Sequence, residues 1–314
     1  MVSASDSASG LFAGVEEYPD VDARRRYNGL IGLDDIKVRL RKNARSLLLP
    51  DQLKEWARRH HGSEDLPLVR AFGNRPPMFV FAGDVGTGKT ALAESFGDAV
   101  ARDADLPILL YRLSLTARGS GAVGEMTQLL SAAFAEVRHA ATGFRGRTGR
   151  RTGGVILVID EADALAQSRE LAQMHHEDRA GVNELIRGID DFARSDLPVL
   201  VVMCTNRLSA LDPAVRRRAA DTLIFTRPND QQRRALLEQL FERIPVSPTQ
   251  LAKFTSATGP SSERDYGWTY SDLTDRLSQA VLLDAFPDGP VDVDRAIRLA
   301  TEMQPTPPFT AEPA

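Results

Sequence analysis

The chain has 314 residues, of which 42% are hydrophobic, 26% charged and 6% aromatic, as in ordinary globular proteins of one large domain or two modest ones. Its formal net charge of −4 gives no overall attraction to nucleic acid or to an anionic membrane. No apolar run approaches the roughly 20 residues that span a bilayer, so we expect no membrane contact.

Residues 1–26 are rich in Ser, Ala and Gly, then acidic, then basic, and we expect them to form a flexible arm. This arm lacks a basic start followed by an apolar stretch, so we expect no secretory signal in it. Cys204 is the single cysteine and cannot form an intrachain disulfide. We therefore expect a cytoplasmic protein. Helical segments are predicted to follow the arm, from Asp34 to Leu48 and from Asp51 to His60.

From Met78 onward, short apolar runs alternate with helical periods. The runs cover residues 78–82, 107–113, 154–159, 198–204 and 222–226, and the helical segments between them cover about 90–102, 124–140, 179–193 and 212–219. This alternation predicts βαβ units and a mainly parallel sheet with helices on both faces.

After Pro228 only helical periods follow, which predicts a small C-terminal helical domain. Its four segments cover residues 230–243, 248–257, 271–286 and 292–303, with Asn229, Ser247, Ser271 and Asp292 as candidate N-caps. The Pro-rich end, residues 304–314, is predicted to be disordered.

A glycine-rich stretch, Gly83 to Thr90, stands between the first apolar run and a helical segment. Its glycines let the backbone curl so that successive N–H groups point at phosphate oxygens. Lys89 would reach the β- and γ-phosphates, and the Thr90 hydroxyl would ligate Mg²⁺. A glycine-rich turn that binds nothing is the alternative, which both flanks disfavour. The residues predicted to bind the nucleotide here are Asp84, Val85, Gly86, Thr87, Gly88, Lys89, Thr90 and Ala91.

The third apolar run ends in Asp160 and Glu161. Ligands of open α/β sheets bind at the carboxyl ends of the strands, where Asp160 would hold Mg²⁺. Glu161 would polarise the attacking water as general base. Asp160–Asp163 also spells the motif of a family of RNA helicases, but those proteins need two tandem nucleotide domains. A GTPase is disfavoured because none of the five lysines follows an asparagine.

The fourth apolar run ends near Asn206, whose amide at a neighbouring strand end is a candidate sensor of the γ-phosphate. A short segment later come three adjacent arginines, Arg216 to Arg218. Such a run is normally a solvated basic face. Placed after a sensor-like amide, Arg217 or Arg218 would instead stabilise the transition state in a neighbouring subunit. Contacts of this head-to-tail kind close as a ring.

Together these motifs resemble those of the AAA+ ATPases, and within them the AAA subgroup. The residues that carry the resemblance are Gly83–Thr90 (Walker A), Val155–Glu161 (Walker B), Cys204–Arg207 with Leu211–Arg218 (second region of homology) and Gly267–Leu273 (the turn of the lid). The resemblance implies a five-stranded α/β domain over residues 27–227, a four-helix lid over residues 228–303 and a hexameric ring. It also implies ATP and Mg²⁺ as ligands, Lys89, Glu161 and Asn206 as catalytic residues, and contact of Gly32 with adenine.

The chain departs from the family pattern at several positions. Ala122 stands where threading members carry the aromatic residue that grips a substrate in the central pore. Ala219-Ala220 replaces an Arg-Phe pair, which leaves the choice between Arg217 and Arg218 open. Tyr270 replaces a small residue near adenine, and Asp272 stands where other AAA+ groups have a sensor arginine.

The sequence therefore predicts an ATP hydrolase that remodels or disassembles an unidentified protein partner, as a disassembly ATPase or in the manner of bacterial HORMA-protein remodellers. A nucleic-acid-linked AAA+ ATPase of the helicase-loader or clamp-loader type is one alternative. A nucleotide-switched scaffold with little turnover is another. The scarcity of lysine beside arginine favours a GC-rich, bacterial source.

Overall fold

The computed structural model describes residues 11–73, 75–115, 125–146, 150–165, 176–262 and 264–309. The strands are β1 (Gly14–Tyr18), β2 (Met78–Gly83), β3 (Ile108–Ser114), β4 (Gly154–Asp160), β5 (Val199–Thr205) and β6 (Asp221–Phe225). The helices are α1 (Val21–Gly29), α2 (Asp34–Leu48), α3 (Pro50–His61), α4 (Pro67–Gly73), α5 (Lys89–Ala93), α6 (Phe96–Ala104), α7 (Glu125–Gly143), α8 (His176–Ser195), α9 (Pro213–Arg216), α10 (Asp230–Leu240), α11 (Pro248–Ala257), α12 (Ser278–Ala285) and α13 (Val293–Glu302). None of the helices described here is long and apolar enough to cross a membrane.

The chain divides into two compact units. The first comprises Met1–Gly29, Asp35–Ala82 and Thr90–Ile224. The second comprises Leu30–Asp34, Gly83–Lys89 and Phe225–Ala314. The second unit thus contains the predicted lid together with two short segments from elsewhere in the chain.

The sheet has the strand order β1-β3-β4-β5-β2-β6. The pairs β3–β4, β4–β5 and β2–β5 are parallel. The five predicted apolar runs correspond to β2 through β6, so the α/β fold and the mainly parallel sheet are confirmed. Apolar side chains fill β4 and β5 because helices cover both faces of a parallel sheet.

β1 and α1 correct two predictions: the sheet has six strands instead of five, and residues 14–26 are folded instead of forming a flexible arm. β1 pairs antiparallel with β3, from Gly14 opposite Arg112 to Tyr18 opposite Ile108. Tyr18 is fully buried, and its hydroxyl donates to the carbonyl of Glu94. The composition suggested disorder because this short strand contains two adjacent acids, Glu16 and Glu17, and its partner strand is nearly 100 residues away.

The second unit is helical from α10 onward, as predicted. Asn229 and Ser247 form capping boxes at α10 and α11, and the Asp292 side chain caps α13. Ser271, in contrast, makes no capping hydrogen bond, because a π-helical turn, Asp272–Leu277, begins there and leads directly into α12. The core of this unit is built around the fully buried Trp268.

Asp272 connects three parts of this unit. Its carboxylate accepts hydrogen bonds from the Thr269 N–H at 3.0 Å, the Thr306 N–H at 3.0 Å and hydroxyl at 2.7 Å, and Arg276 at 2.7 Å. Burial acts to raise the pKa of Asp272, but these hydrogen bonds outweigh it and hold the pKa below its ordinary value. The stability that Asp272 contributes is therefore present above the ordinary carboxyl pKa of about 3.9, and is lost as the pH falls through the lower pKa of the folded state.

We predict that Asp272→Ala lowers the free energy of unfolding by about 3 kcal/mol, because buried donors lose their acceptor and Arg276 loses its partner. Urea denaturation at pH 7 measures the change. Asp275→Ala, an exposed acid in the same π-helical turn, is the control and should change stability by less than about 0.5 kcal/mol. Equal effects of the two substitutions would contradict the role of Asp272.

Candidate nucleotide-binding site

The glycine-rich loop Gly83–Lys89 is curled, as its sequence predicts, and belongs to the second unit. Gly86 and Gly88 have φ angles of 72° and 92°, which side-chain-bearing residues rarely adopt. A Cβ atom on Gly83 would lie 2.0 Å from the Phe225 carbonyl oxygen, and one on Gly86 would lie 2.6 Å from the Thr269 hydroxyl. Gly86 is therefore required by both backbone conformation and space, Gly83 by space and Gly88 by conformation.

Lys89 lies inside this loop and is only 6% exposed. Its Nζ donates to the carbonyl oxygens of Gly83 at 2.9 Å and Asp84 at 2.7 Å. The Thr87 hydroxyl donates to the same Asp84 carbonyl at 2.7 Å. The loop thus holds a cation at its centre, which is what binding a polyphosphate requires.

The segment Leu30–Asp34 belongs to the same unit. The Gly32 carbonyl accepts a hydrogen bond from the Gln232 side chain at 3.0 Å. A Cβ atom built on Gly88 would lie 3.6 Å from Leu33 and 4.0 Å from Leu30, so apolar side chains stand beside the phosphate-binding loop. Apolar surface next to such a loop suits the flat face of a base. Contact of Gly32 with adenine stays a prediction.

Tyr270 lies close to Gly32: a Cβ atom there would be 2.7 Å from the Tyr270 hydroxyl. Burial, with a smaller contribution from the charge of Asp34, raises the pKa of Tyr270 to about 12. The phenol is therefore neutral at physiological pH. This side chain narrows the space beside Gly32, where the family pattern has a small residue.

In the first unit, α5 and the end of β4 bring Thr90 and Asp160 together. The Thr90 hydroxyl lies 3.1 Å from one carboxylate oxygen of Asp160 and 3.4 Å from the other. A hydroxyl and a carboxylate are hard oxygen ligands of the kind that Mg²⁺ prefers. The pair therefore fits the metal site that the sequence predicts, and Ala91 lies one residue further along α5.

Glu161 follows Asp160 in an unusual backbone conformation, with a φ angle of 54°. A residue other than glycine in this region costs about 1 kcal/mol or more, and such strain is concentrated at functional sites. The Glu161 N–H donates to Asp160 at 2.9 Å, and its exposed carboxylate lies 3.5 Å from the Ser114 hydroxyl. The turn thus directs the two acids apart, one toward Thr90 and one toward Ser114.

Asp163 has a role that sequence reasoning missed. Its carboxylate accepts hydrogen bonds from the Thr205 hydroxyl, from the Asn206 N–H at 3.1 Å and from the Arg207 N–H at 3.4 Å. It therefore holds the turn after β5, which carries Asn206, against the turn after β4. The only signal in the sequence is its position three residues after Asp160, which is also part of the helicase motif.

The structure separates the two candidate arginines. Arg218 makes a paired contact with Asp190 on α8, at 2.6 and 2.9 Å. The hydrogen bond with Arg218 lowers the pKa of Asp190, and the same bond raises the pKa of Arg218. Arg216 and Arg217 are exposed and form no ion pair within the described part of the chain.

One position considered from the sequence, Ala122, lies outside the described residues. Within the residues that are described, no group of three or more His, Cys, Asp or Glu side chains is arranged to hold a metal ion.

Comparison with known proteins supports the resemblance seen in the motifs. Residues 79–227 match the model of the family described as ATPase family associated with various cellular activities (AAA). The chain is 50% identical to CD-NTase-associated protein 6 of Escherichia coli strain MS 115-1 over 303 residues, which cover 96% of this chain and 97% of that protein.

Solved structures give the same result. A chain in the HORMA:CdnC:Trip13 complex of E. coli MS115-1 is 49% identical, with a TM-score of 0.86 over 95% of this chain and 97% of that chain. Trip13 of Rhizobiales is 45% identical, with a TM-score of 0.73 over 95% of this chain and 100% of that chain.

We predict that Asp163→Ala lowers the maximal rate of ATP hydrolysis by about tenfold or more, because the turn that carries Asn206 loses its anchor. Affinity for ATP should change by less than about threefold, because the substitution removes an interaction that stabilises the transition state and leaves ground-state binding intact. Steady-state turnover and ATP titration measure the two effects.

Asp191→Ala, an acid on α8 that lies on the surface of the same unit, is the control and should leave both values unchanged. Asp163→Asn keeps one acceptor oxygen and should lose less activity than Asp163→Ala. Wild-type turnover in Asp163→Ala would show that Asn206 does not need this anchor.

Proposed function

We propose, from the premise that this chain belongs to the AAA family of ATPases and is an ATP hydrolase, that it uses hydrolysis to remodel a HORMA protein. The observation that carries the proposal is similarity along almost the whole length to a CD-NTase-associated protein and to a chain found in a complex with HORMA and CdnC. A protein partner is also what the sequence predicts from the net charge and the motifs.

The residues of the site suit hydrolysis at the γ-phosphate. Lys89 would contact the phosphates from inside the loop, and Thr90 with Asp160 would hold Mg²⁺, which neutralises phosphate charge when bound. Glu161 would take a proton from the attacking water, and Asn206 would orient that water or the γ-phosphate. These assignments are supported by the 3.1 Å contact between Thr90 and Asp160 and by the strained turn at Glu161.

We further propose that the active protein is a hexameric ring and that Arg217 acts in the neighbouring subunit. Arg217 is exposed and without an ion pair in the described structure, whereas Arg218 is engaged by Asp190. An arginine supplied by a neighbour stabilises charge that develops in the transition state. A head-to-tail contact of this kind repeats from subunit to subunit and closes as a ring when the rotation between subunits permits, which is the arrangement proposed here.

The proposed setting is the bacterial cytoplasm. The CD-NTase-associated protein and the chain of the HORMA:CdnC:Trip13 complex described above come from E. coli. The single cysteine of this chain, Cys204, is buried and cannot form an intrachain disulfide, which is common in reducing compartments.

We predict that Glu161→Gln lowers ATP turnover by about 100-fold or more while ATP binding is retained, because the amide cannot accept the proton of the attacking water. The ATP-bound variant should then hold a HORMA protein stably, whereas wild type should release it. Turnover assays and co-purification of the two proteins measure both effects.

Glu17→Gln, an exposed acid on β1, is the matched control and should behave as wild type. Equal turnover in Glu161→Gln and wild type would refute the assignment of Glu161 as base. ATPase stimulation by DNA with a steep dependence on salt would favour the nucleic-acid-linked alternative. Very slow wild-type turnover that HORMA protein does not stimulate would favour the scaffold.

We predict that Arg217→Ala reduces turnover by about 1000-fold with ATP affinity nearly intact, since the arginine acts on a neighbour's transition state. Mixing Arg217→Ala with Glu161→Gln subunits should restore part of the activity, because an intact Glu161 can then face an intact Arg217. Arg218→Ala should instead destabilise the protein, since Asp190 loses its partner.

Arg216→Ala serves as the matched control, because Arg216 is an exposed arginine next to Arg217, at the end of α9. Loss of activity in Arg218→Ala with wild-type activity in Arg217→Ala would move the role to Arg218. Unchanged turnover in both would refute the shared site.

A further inference from the structure

The phosphate-binding loop carries a negative charge of its own, at Asp84. A carboxylate in a loop that receives a triphosphate opposes binding, because like charges repel strongly where water is partly excluded. Asp84 Oδ1 accepts hydrogen bonds from the N–H groups of Val85 and Phe309, each at 2.9 Å. Backbone amides orient the carboxylate in this way, but they do not cancel its charge.

Arg227 supplies the compensating charge. Its Nε donates to Asp84 Oδ2 at 2.7 Å, and its Nη2 lies 2.6 Å from the same oxygen. The two side chains are only 13% and 17% exposed, so solvent and salt screen the pair weakly. Like Asp84, Arg227 belongs to the second unit.

Arg227 also fixes the loop in place. Its Nη1 donates to the Gly267 carbonyl at 2.7 Å, and its guanidinium lies 5.0 Å from the centre of the Tyr266 ring. On the other side of the ion pair, the Asp84 carbonyl is one of the two that hold the Lys89 ammonium. A single residue, Asp84, therefore connects Arg227 to the lysine that would contact the phosphates.

We infer that Arg227 is a positioning residue for ATP: it cancels the charge of Asp84 and holds the carbonyl that orients Lys89. The inference rests on the proposed nucleotide site in Gly83–Thr90. It makes the phosphate affinity of the loop depend on a residue that lies 143 positions further along the chain.

The direction in which ATP affinity changes distinguishes charge compensation from a purely structural role of the Arg227–Asp84 pair. If Arg227 compensates Asp84, removing the arginine weakens binding of ATP, whereas removing the negative charge of Asp84 strengthens it, since Arg227 then adds an unopposed positive charge. If the pair only stiffens the loop, both changes weaken binding. Adenosine has no phosphate, so in the first case its affinity should be unchanged by either substitution.

The test is titration of ATP and of adenosine onto purified variants, with thermal unfolding as a check of folding. Arg227→Met should weaken ATP binding by about tenfold or more and adenosine binding by less than about twofold. Asp84→Asn should tighten ATP binding by about threefold, because the negative charge is lost while one amide oxygen remains to accept from either Val85 or Arg227. The double variant should return ATP affinity to within about threefold of wild type.

Arg234→Met is the matched control, because it removes an exposed arginine of the same unit and should leave ATP affinity unchanged. Wild-type ATP affinity in Arg227→Met, weaker ATP binding in Asp84→Asn, or no recovery in the double variant would each overturn the inference. Should Arg227→Met fail to fold, the sign of the change in Asp84→Asn decides alone. Failure of wild type to bind ATP would instead count against the proposed function.

Discussion

The parallel register of β2, β4 and β5 is the constraint on which the positions of Asp160, Glu161 and Asn206 in the first unit depend. Ala82 is paired with Thr205, and Ser114 with Asp160, so these strands end at one edge of the sheet. A shift of one residue would turn every side chain to the opposite face, and the close packing of differently shaped side chains on both buried faces resists this. The turns that carry Glu161 and Asn206 therefore leave the sheet side by side.

Three buried or half-buried aspartates hold loops in fixed positions. Asp163 joins the turns after β4 and β5, Asp272 joins three parts of the helical unit, and Asp84 joins the phosphate-binding loop to Arg227. In each case one carboxylate accepts several donors from segments that are distant in the sequence or part of a turn. Losing such an acceptor leaves more than one donor unsatisfied, so these loops are held more firmly than their lack of regular structure suggests.

Pairing with an aspartate also separates the arginine that can contact a neighbouring subunit from the one that cannot. Arg218 is paired with Asp190, whereas the neighbouring and exposed Arg217 forms no ion pair in the described part of the chain. Adjacent arginines that look equivalent in the sequence thus differ in what they can contact. The proposed division, with hydrolysis inside one subunit and charge stabilisation from its neighbour, depends on that difference.

The sequence alone determined the elements and the chemistry: five apolar runs, four C-terminal helical segments, the curled loop, and the acids after β4. Each of these follows from hydrophobic periodicity or from closely spaced residues, so it can be predicted without knowledge of distant contacts. Only the tertiary structure decided that β1 joins the sheet, that Asp163 anchors the turn carrying Asn206, and that Arg227 neutralises Asp84. Those partners are between 42 and 143 residues apart, or pair through backbone atoms, and their contact depends on strand register and loop packing that no local pattern encodes.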